Sequence, residues 1–471
     1  MIQEITQICQ RNITNKETVE VLEACFGIIR NIAHVDANRN ELLRQDVVAT
    51  LMEGMRYQLG DFSMNLEACS AIANLAVSNP VRDAFMKAGA LDNVLRALQT
   101  YIDYDEFVVE AMRALVCLAM HSQESKEVMA APDVLGLIVT ASSKHQGANL
   151  VQEMCCKLLA TLAVGRATTE VIIDNGGTDL LVRAFKSNYD EKVQDAACSA
   201  YRNFACQVQD PDSLLRKGAL NSIINVMATH EKSLSIQTSS CSAIWNIACK
   251  TDKEPGSLVG QQGVQVIVKA MQSHMESSDL LELACGALWS IIDDSIDRKK
   301  DVVDSGAIDA VVCTMVMHPT TVSTLIKACG VFSNLSAEGP LAEAIANAQG
   351  VSVVSDAMRN NGSSIAFLEI GCMILRNIVV QYPEYAQEAS MAISPLIDAM
   401  REHITATSFQ QAACNLLWVL AAEAESCQSK ILALDGISVL MQCLEQNSHD
   451  AKVQEAALGA FNQLAVNGNQ L

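Results

Sequence analysis

Aromatic residues, prolines and long apolar runs are all scarce in this sequence. Only 4% of its 471 residues are Phe, Trp or Tyr, and only eight are proline. Half of the residues are nevertheless apolar, so the chain can bury a large core. This combination predicts an almost wholly helical, all-α protein. No apolar run approaches the roughly 20 residues that cross a bilayer, which excludes membrane insertion.

Basic residues are too few for a nucleic-acid partner. The chain has 33 Lys and Arg against 54 Asp and Glu, a net charge of −21. A surface this acidic repels phosphate backbones unless a local basic patch overrides it. The longest basic run, Arg298–Lys300, is flanked by Asp297 and Asp301. We therefore exclude nucleic acid as a partner.

Motifs of catalysis and of cofactor or metal binding are missing. The sequence has no G-x-G-x-x-G, G-x4-G-K-[ST], G-x-S-x-G or H-E-x-x-H segment, and its cysteines lack zinc-site spacing. Asp293, Asp294 and Asp297 are close in sequence, but the basic run that follows favours a solvated loop. The prediction is a protein that is not an enzyme, with no catalytic residue, cofactor or metal.

The 17 cysteines indicate a reducing compartment. Their number is odd, and the chain does not begin with the basic segment of a signal peptide. Free thiols are the expected state. The sequence predicts a cytoplasmic location, with the nucleus as the alternative.

Self-comparison reveals a repeat that covers residues 1–471 as a single array. Segments such as 240–248 and 328–336 look alike, and an Asn within them serves as the anchor of each unit. Successive anchors are 42 to 44 residues apart, too regular for chance. They stand at Asn31, Asn74, Cys117, Thr161, Asn203, Asn246, Ser290, Asn334, Asn377, Val419 and Gln463. Residues 1–34 are predicted to be an incomplete first unit, and uncapped ends offer a route to self-association.

Each unit is predicted to contain three helices. A short first helix opens on proline in some units, at Pro80, Pro340 and Pro383. A sharp turn with glycine follows, at Gly89, Gly218, Gly263, Gly306, Gly350 and Gly436. The second helix then runs, for example, from Ala307 to about Met317. The third helix contains the anchor.

The third helix repeats its buried face from unit to unit. The residue two before the anchor is always large and apolar, and Cys stands five before it in eight of eleven units. Because these positions share one side of a 3.6-residue helix, we interpret the cysteines as packing residues rather than metal or redox groups. They are Cys69, Cys156, Cys198, Cys241, Cys285, Cys329, Cys372 and Cys414.

Five of the eight histidines also share one register, sixteen residues before the anchor. They are His145, His230, His274, His318 and His403. A chain of metal sites and a pH sensor are alternatives. We favour helix capping, because each falls near the end of a second helix, where imidazole can bond carbonyls at the negative end of the dipole.

Together these features resemble the armadillo repeat over essentially the whole chain. The resemblance rests on the period, on the glycine before the second helix, and on the third-helix motif A-x-x-A-L-x-N-L-A. The variant Cys285-Gly286-Ala287-Leu288-Trp289-Ser290 is similar to the sub-type in armadillo-repeat-containing protein six and in leucine-rich-repeat kinases. The resemblance implies a right-handed α-solenoid of about eleven three-helix repeats. It also implies extended peptides bound along a concave groove, with Asn side chains on the peptide backbone.

The exposed stripe of the third helix gives the contents of that groove. The residue one before the anchor is Trp or Arg in six units, and all three tryptophans of the chain hold this register. An acid stands seven or eight before the anchor in most units. The predicted partner-binding residues are Arg202, Asn203, Trp245, Asn246, Trp289, Asn334, Arg376, Asn377 and Trp418, beside an acidic ridge of Glu153, Asp195, Glu282 and Glu369.

Two simpler explanations compete with this groove. Acids early in a helix complement its dipole, and each Trp could pack against the next repeat. Trp and Arg are, however, the residues most enriched in binding hot spots. The sequence therefore predicts a non-catalytic scaffold or adaptor that binds an extended or disordered protein segment, plausibly basic.

The alternative functions are a small-GTPase regulator and a nuclear-import-type cargo adaptor that use the same groove. Import adaptors of the family carry Trp four residues before the Asn. Here that position holds residues such as Gly27, Ser199, Gly286 and Gly330. This departure disfavours the import adaptor.

Overall fold

The computed structural model describes residues 1–186, 189–215, 218–251, 255–292 and 295–467. Every regular element within these ranges is a helix, and they include no β-strand. Among the described helices, none combines the length and the apolar character needed to cross a membrane. The all-α prediction is confirmed.

The helices of the first half of the chain have the following bounds, in chain order. They are α1 Ile2–Asn12, α2 Val19–Ile32, α3 Asp36–Arg44, α4 Val47–Tyr57, α5 Phe62–Leu75, α6 Asn79–Lys87, α7 Ala90–Thr100, α8 Asp105–Ala119, α9 Gln123–Met129, α10 Pro132–Lys144, α11 Asn149–Leu162, α12 Arg166–Asp174, α13 Gly177–Ala184, α14 Glu191–Gln207, α15 Asp212–Leu215 and α16 Ala219–Thr229. A short 3-10 helix, Lys16–Thr18, precedes α2.

The second half continues the same alternation. Its helices are α17 Leu234–Ala248, α18 Pro255–Ser273, α19 Ser278–Ile291, α20 Ile296–Asp304, α21 Ala307–Met317, α22 Val322–Ser336, α23 Gly339–Asn347, α24 Gly350–Asn360, α25 Ile365–Gln381, α26 Ala386–Ala389, α27 Ile393–Glu402, α28 Thr407–Glu423, α29 Glu425–Ala433, α30 Gly436–Gln446 and α31 Ala451–Asn467. The 3-10 helices Pro383–Tyr385 and Ser390–Ala392 flank α26.

The chain divides into two compact units, Met1–Val226 and Met227–Leu471. In the first unit the third helices α2, α5, α8, α11 and α14 pack on one another in succession. In the second unit α17, α19, α22, α25, α28 and α31 do the same, and second helices such as α21, α24 and α27 form a parallel layer. Each unit is therefore a stack of repeats, as expected of an α-solenoid.

Side chains fix the beginning of several third helices. Asp61 accepts a hydrogen bond from the backbone N–H of Met64 at 2.8 Å, and Asp190 accepts one from Val193 at 3.0 Å. These N-caps satisfy N–H groups that the first helical turn leaves without a partner. The second helix Ala307–Met317 has the bounds that the sequence predicts.

The turn before the second helix contains a left-handed residue in most repeats, and glycine is one of several solutions. Gly306 has φ 80°, as expected. In two other repeats the left-handed residue is Gln349 or Asp435, one position before the predicted glycine. Gly350 and Gly436 are small for a different reason. A Cβ on Gly350 would lie 2.7 Å from the carbonyl oxygen of Ile345, so close packing demands glycine there.

One predicted turn residue is wrong. Gly263 lies within α18, and the non-helical residue of that segment is Gly260, with φ 65° and ψ 176°. The regular spacing pointed to Gly263. The chain instead turns three residues earlier, at another glycine whose freedom of φ permits the change.

The buried face of the third helices lies where the pattern predicts. Residues two before the anchor, such as Ile72, Leu288 and Phe332, are buried, whereas Phe461 in α31 is partly exposed. All eight cysteines of the repeated register are thiols outside any disulfide, and all are fully buried. They fill the core as small apolar groups.

Polar side chains at the ends of the second helices join successive repeats. His145, His274 and His318 place Nε2 at 2.7–2.9 Å from the carbonyl oxygen of the residue 43 positions earlier, and Asn361 and Asn447 donate from Nδ2 at 2.8 Å to the equivalent carbonyl. The accepting carbonyl belongs to the preceding repeat. These three histidines are structural, as predicted, but each bonds a carbonyl of the preceding repeat instead of capping its own helix. Nε2 of His403, in the same register, is buried without a hydrogen-bond partner.

Candidate functional site

The predicted site residues lie on the exposed side of the third helices, in both units. Arg202, Asn203, Glu153 and Asp195 belong to the first unit. The second unit holds the tryptophans and the remaining residues, which project from α17, α19, α22, α25 and α28. Trp245 and Trp289 are half-buried, and Trp418 is 37% exposed.

Each tryptophan lies against a glycine of the next third helix. A Cβ on Gly286 would come within 2.9 Å of the Trp245 ring, and one on Gly330 within 2.7 Å of Cε2 of Trp289. Trp418 has the same relation to Gly459. The rings therefore contribute to packing between repeats and are also partly open to solvent. Sequence reasoning had treated these two roles as alternatives.

Lys327 connects two of the tryptophans. Its Nζ atom lies 4.6 Å from the centroid of the Trp245 ring and 5.2 Å from the centroid of the Trp289 ring. Both distances fall within the range of cation–π attraction. We refer to Trp245 and Trp289 as the tryptophan pair. The structure brings this pair together around one ammonium group, while Trp418 lies apart from it, on α28.

Sequence reasoning missed Lys327, although a signal was present. Lys327 stands seven residues before its anchor, whereas Glu282 and Glu369 in the flanking repeats stand eight before theirs. Eight of the eleven repeats carry an acid at one of these two positions, and this repeat carries a lysine and no acid. Its contact with both rings depends on helix packing, which no sequence pattern reveals.

The anchor asparagines bond within the chain. Asn334 donates from Nδ2 to the carbonyl oxygens of Trp289 and Ile292, at 3.3 and 3.4 Å, and Asn377 donates to Ser336 Oγ at 3.3 Å. In the first unit Asn203 donates to the carbonyl oxygen of Ala160 at 2.8 Å. Each of these bonds joins neighbouring repeats. A bond to a partner's backbone, which the resemblance implied, would need the second N–H or the Oδ1 atom.

Asn246 differs from the other anchors. Its Nδ2 donates to the carbonyl oxygen of Ser242 in its own helix, at 2.8 Å. Of the predicted arginines, Arg202 donates to Oδ1 of Asn203 at 3.3 Å, and Arg376 is exposed on α25.

In the first unit, one member of the acidic ridge and one further acid of a third helix form ion pairs. Glu153 is buried and forms an ion pair with Lys157, while Arg30 Nη1 lies 2.8 Å from Glu67 Oε1. Burial raises the pKa of Glu67, and the Arg30 charge opposes this shift. In the second unit Glu282 is half-buried, and Glu369 accepts a hydrogen bond from Ser408 Oγ at 3.0 Å.

The described residues contain no cluster of three or more His, Cys, Asp or Glu side chains suited to a metal ion. Burial raises the pKa of the Cys241 and Cys329 thiols to about 12. Asp293 and Asp294 lie outside the described residues. Asp297 is exposed on α20.

Comparison with known proteins supports the repeat class that the fold defines. Residues 38–209, all within the first unit, match the family model described as LRRK2 ARM repeat. ARM stands for the armadillo repeat, and the match covers somewhat more than a third of the chain. No curated protein sequence matches this chain.

Two solved structures share the fold over most of the chain. One is a crystal structure of an engineered protein, 22% identical, with a TM-score of 0.72, covering 89% of this chain and 98% of the other. The second is from a study of a phosphorylation switch in the cadherin–beta-catenin interaction. It is 15% identical, with a TM-score of 0.71, and covers 98% of this chain and 96% of the other. At these identities the likeness establishes the fold alone, an all-α solenoid.

Proposed function

We propose that this protein is a non-catalytic interaction scaffold that binds an extended, basic protein segment along the third helices of its second unit. The observation that carries the proposal is the tryptophan pair. Partly open aromatic faces at a repeat spacing, which already hold one ammonium group, are suited to cationic side chains. Alternate side chains of an extended segment would meet successive repeats.

The charge of the second unit supports a basic partner. Residues 227–471 contain 13 Lys and Arg against 26 Asp and Glu, a net charge of −13. A charge of this size attracts a basic segment and speeds its association. The reduced cysteines and the acidic composition fit an intracellular setting, which is part of the proposal.

The comparisons lend general support. Armadillo-type solenoids expose long surfaces formed by successive repeats, and such surfaces suit extended partners. The structure at 15% identity concerns a protein that interacts with another protein, cadherin. We extend only the general role, protein binding, to this chain. We also propose that the repeats outside residues 38–209 are of the same sub-type as the armadillo repeats of leucine-rich-repeat kinases.

The proposal is tested by selecting random 12-residue peptides on the wild-type protein and on a variant with Trp245→Leu and Trp289→Leu. Leucine keeps an apolar group against Gly286 and Gly330 but removes the aromatic face. We expect wild type to enrich peptides with Arg or Lys at alternate positions. Those peptides should bind the variant more weakly by at least ~2 kcal/mol, as for hot-spot aromatics.

A control separates binding from stability. Phe409→Leu removes part of a buried ring in α28, away from the tryptophan pair, and should lower the melting temperature without changing peptide affinity. Enrichment of the same peptides on wild type and on the double variant would contradict the proposal.

A further inference from the structure

The position of Lys327 suggests how the tryptophan pair is occupied before a partner arrives. Lys327 is half-buried on α22, one helical turn before Gly330, against which Trp289 lies. Among the described residues, no carboxylate lies within 4.0 Å of its Nζ atom, which lies over the two aromatic rings. A lysine that served only as a charged surface residue would point into water instead.

An aromatic pair that already holds an ammonium group has little room for a second cation. Two cations over the same rings would repel each other, and the attraction to each ring is shared between them. A cationic side chain from a partner must therefore displace Lys327 before it can occupy the pair.

We propose that Lys327 is an internal competitor that blocks the tryptophan pair until an arginine of the bound segment displaces it. This inference rests on the proposed function and names the partner's contact residue. Arginine is the better competitor because its planar guanidinium stacks on aromatic faces and is less strongly hydrated than an ammonium. Glu282 and Glu369, which lie on the flanking third helices one position from the Lys327 register, provide negative charge for the displaced lysine.

Internal competition has a consequence for selectivity. The free energy needed to displace Lys327 offsets part of the binding free energy of a basic residue at the tryptophan pair. A segment with a single basic residue therefore gains little affinity from the pair. A segment with several arginines at alternate positions gains additional contacts with neighbouring repeats. The device would keep a strongly acidic protein from binding every basic chain it meets.

The test uses a fluorescein-labelled 12-residue peptide of alternating arginine and serine. Its affinity is measured by fluorescence anisotropy for wild type, Lys327→Met, Lys327→Arg and Lys300→Met. Lys300 is an exposed lysine on α20, so Lys300→Met reproduces the change in net charge away from the tryptophan pair. Lys327→Gln replaces Lys327→Met if circular dichroism shows that the methionine variant does not fold.

We expect Lys327→Met to bind the peptide roughly five- to thirtyfold more tightly, since two cation–π contacts no longer compete. Lys300→Met should stay within about twofold of wild type. Lys327→Arg should bind the peptide more weakly than wild type, because an internal guanidinium competes better for the rings. The same peptide with lysine in place of arginine should bind more weakly to every protein.

Two outcomes would overturn the inference. One is a gain for Lys327→Met no larger than that for Lys300→Met. The other is tighter binding of an alternating glutamate–serine peptide to wild type than to Lys327→Met, which would make Lys327 the docking group for an acidic partner. Failure of the proposed function is distinct, because the arginine peptide would then bind the Trp245→Leu, Trp289→Leu variant as tightly as wild type.

Discussion

At the residue scale, tryptophan and glycine form matched pairs across neighbouring repeats. Trp245, Trp289 and Trp418 all stand one residue before the anchor, and a glycine stands four before the next anchor in each case. Both the tryptophan register and the glycine register are visible in the sequence, but nothing there indicates that they are in contact. Their contact depends on the spacing between third helices, so it became visible only in three dimensions.

Gly330→Ala is expected to destabilise the second unit by roughly 1–3 kcal/mol, because a Cβ there overlaps the Trp289 ring. Urea unfolding measures the change. Gly362→Ala is the matched control, since a Cβ on Gly362 has no neighbour within 4 Å. Equal stability of the two variants would mean that the ring does not rest on Gly330.

The buried thiols make stability depend on alkaline pH. Burial raises the pKa of Cys241 and Cys329 from 9.0 to about 12, because the thiolate is poorly solvated in the core. The unfolded state then releases its protons first. These thiols contribute their full stability below about pH 9 and lose it as the pH rises towards 12.

Cys329→Ala should reduce this loss. Each thiol with such a shift costs roughly 2 kcal/mol of folding free energy between pH 8 and 10.5. The decrease in unfolding free energy over that range should be smaller by about this amount in the variant than in wild type. Cys249→Ala removes an exposed thiol and should leave the decrease unchanged. The same dependence in all three proteins would contradict thiol burial as its cause.

At the element scale, the second helices are joined by a series of side-chain bonds to backbone carbonyls. His318 Nε2 lies 2.8 Å from the carbonyl oxygen of Met275, and Asn361 makes the equivalent bond to Pro319 in the next repeat. Different residue types thus satisfy one requirement, a donor that reaches the preceding repeat. This explains why histidine holds only five of the eleven positions in this register.

His318→Ala should destabilise the second unit by about 1 kcal/mol, the typical net value of one hydrogen bond. His318→Asn should retain most of the stability, because asparagine already makes this bond in two other repeats. Chemical unfolding of the three proteins tests the expectation. A loss for His318→Asn equal to that for alanine would show that the imidazole ring, rather than its donor, is required.

The helices themselves could largely be predicted from the sequence. The period fixed the repeat, and the bounds of Ala307–Met317 followed from the glycine and the apolar pattern. Gly260 could not be identified as the turn residue, because Gly263 lies three residues later and the sequence pattern does not distinguish the two glycines. A register of glutamines was also overlooked, although Gln237 and Gln410 each clamp two carbonyls at the end of a second helix.

At the scale of the whole molecule, the acidic charge and the tryptophans identify the second unit as the candidate binding region. The sequence located the tryptophans and their partial exposure. It could not reveal Lys327 above the rings, because residues from three separate repeats meet there. Composition indicated a basic partner, whereas the structure identified the two rings and the ammonium group with which such a partner would compete.

The most direct test of this account uses the three tryptophans as reporters. Labelling with 5-fluorotryptophan gives three ¹⁹F resonances, which single Trp→Phe variants assign to Trp245, Trp289 and Trp418. On titration with the alternating arginine–serine peptide, the Trp245 and Trp289 resonances should shift together and saturate with the anisotropy curve. Saturable binding that leaves both resonances unmoved would contradict the account, because the segment would then bind elsewhere on the protein.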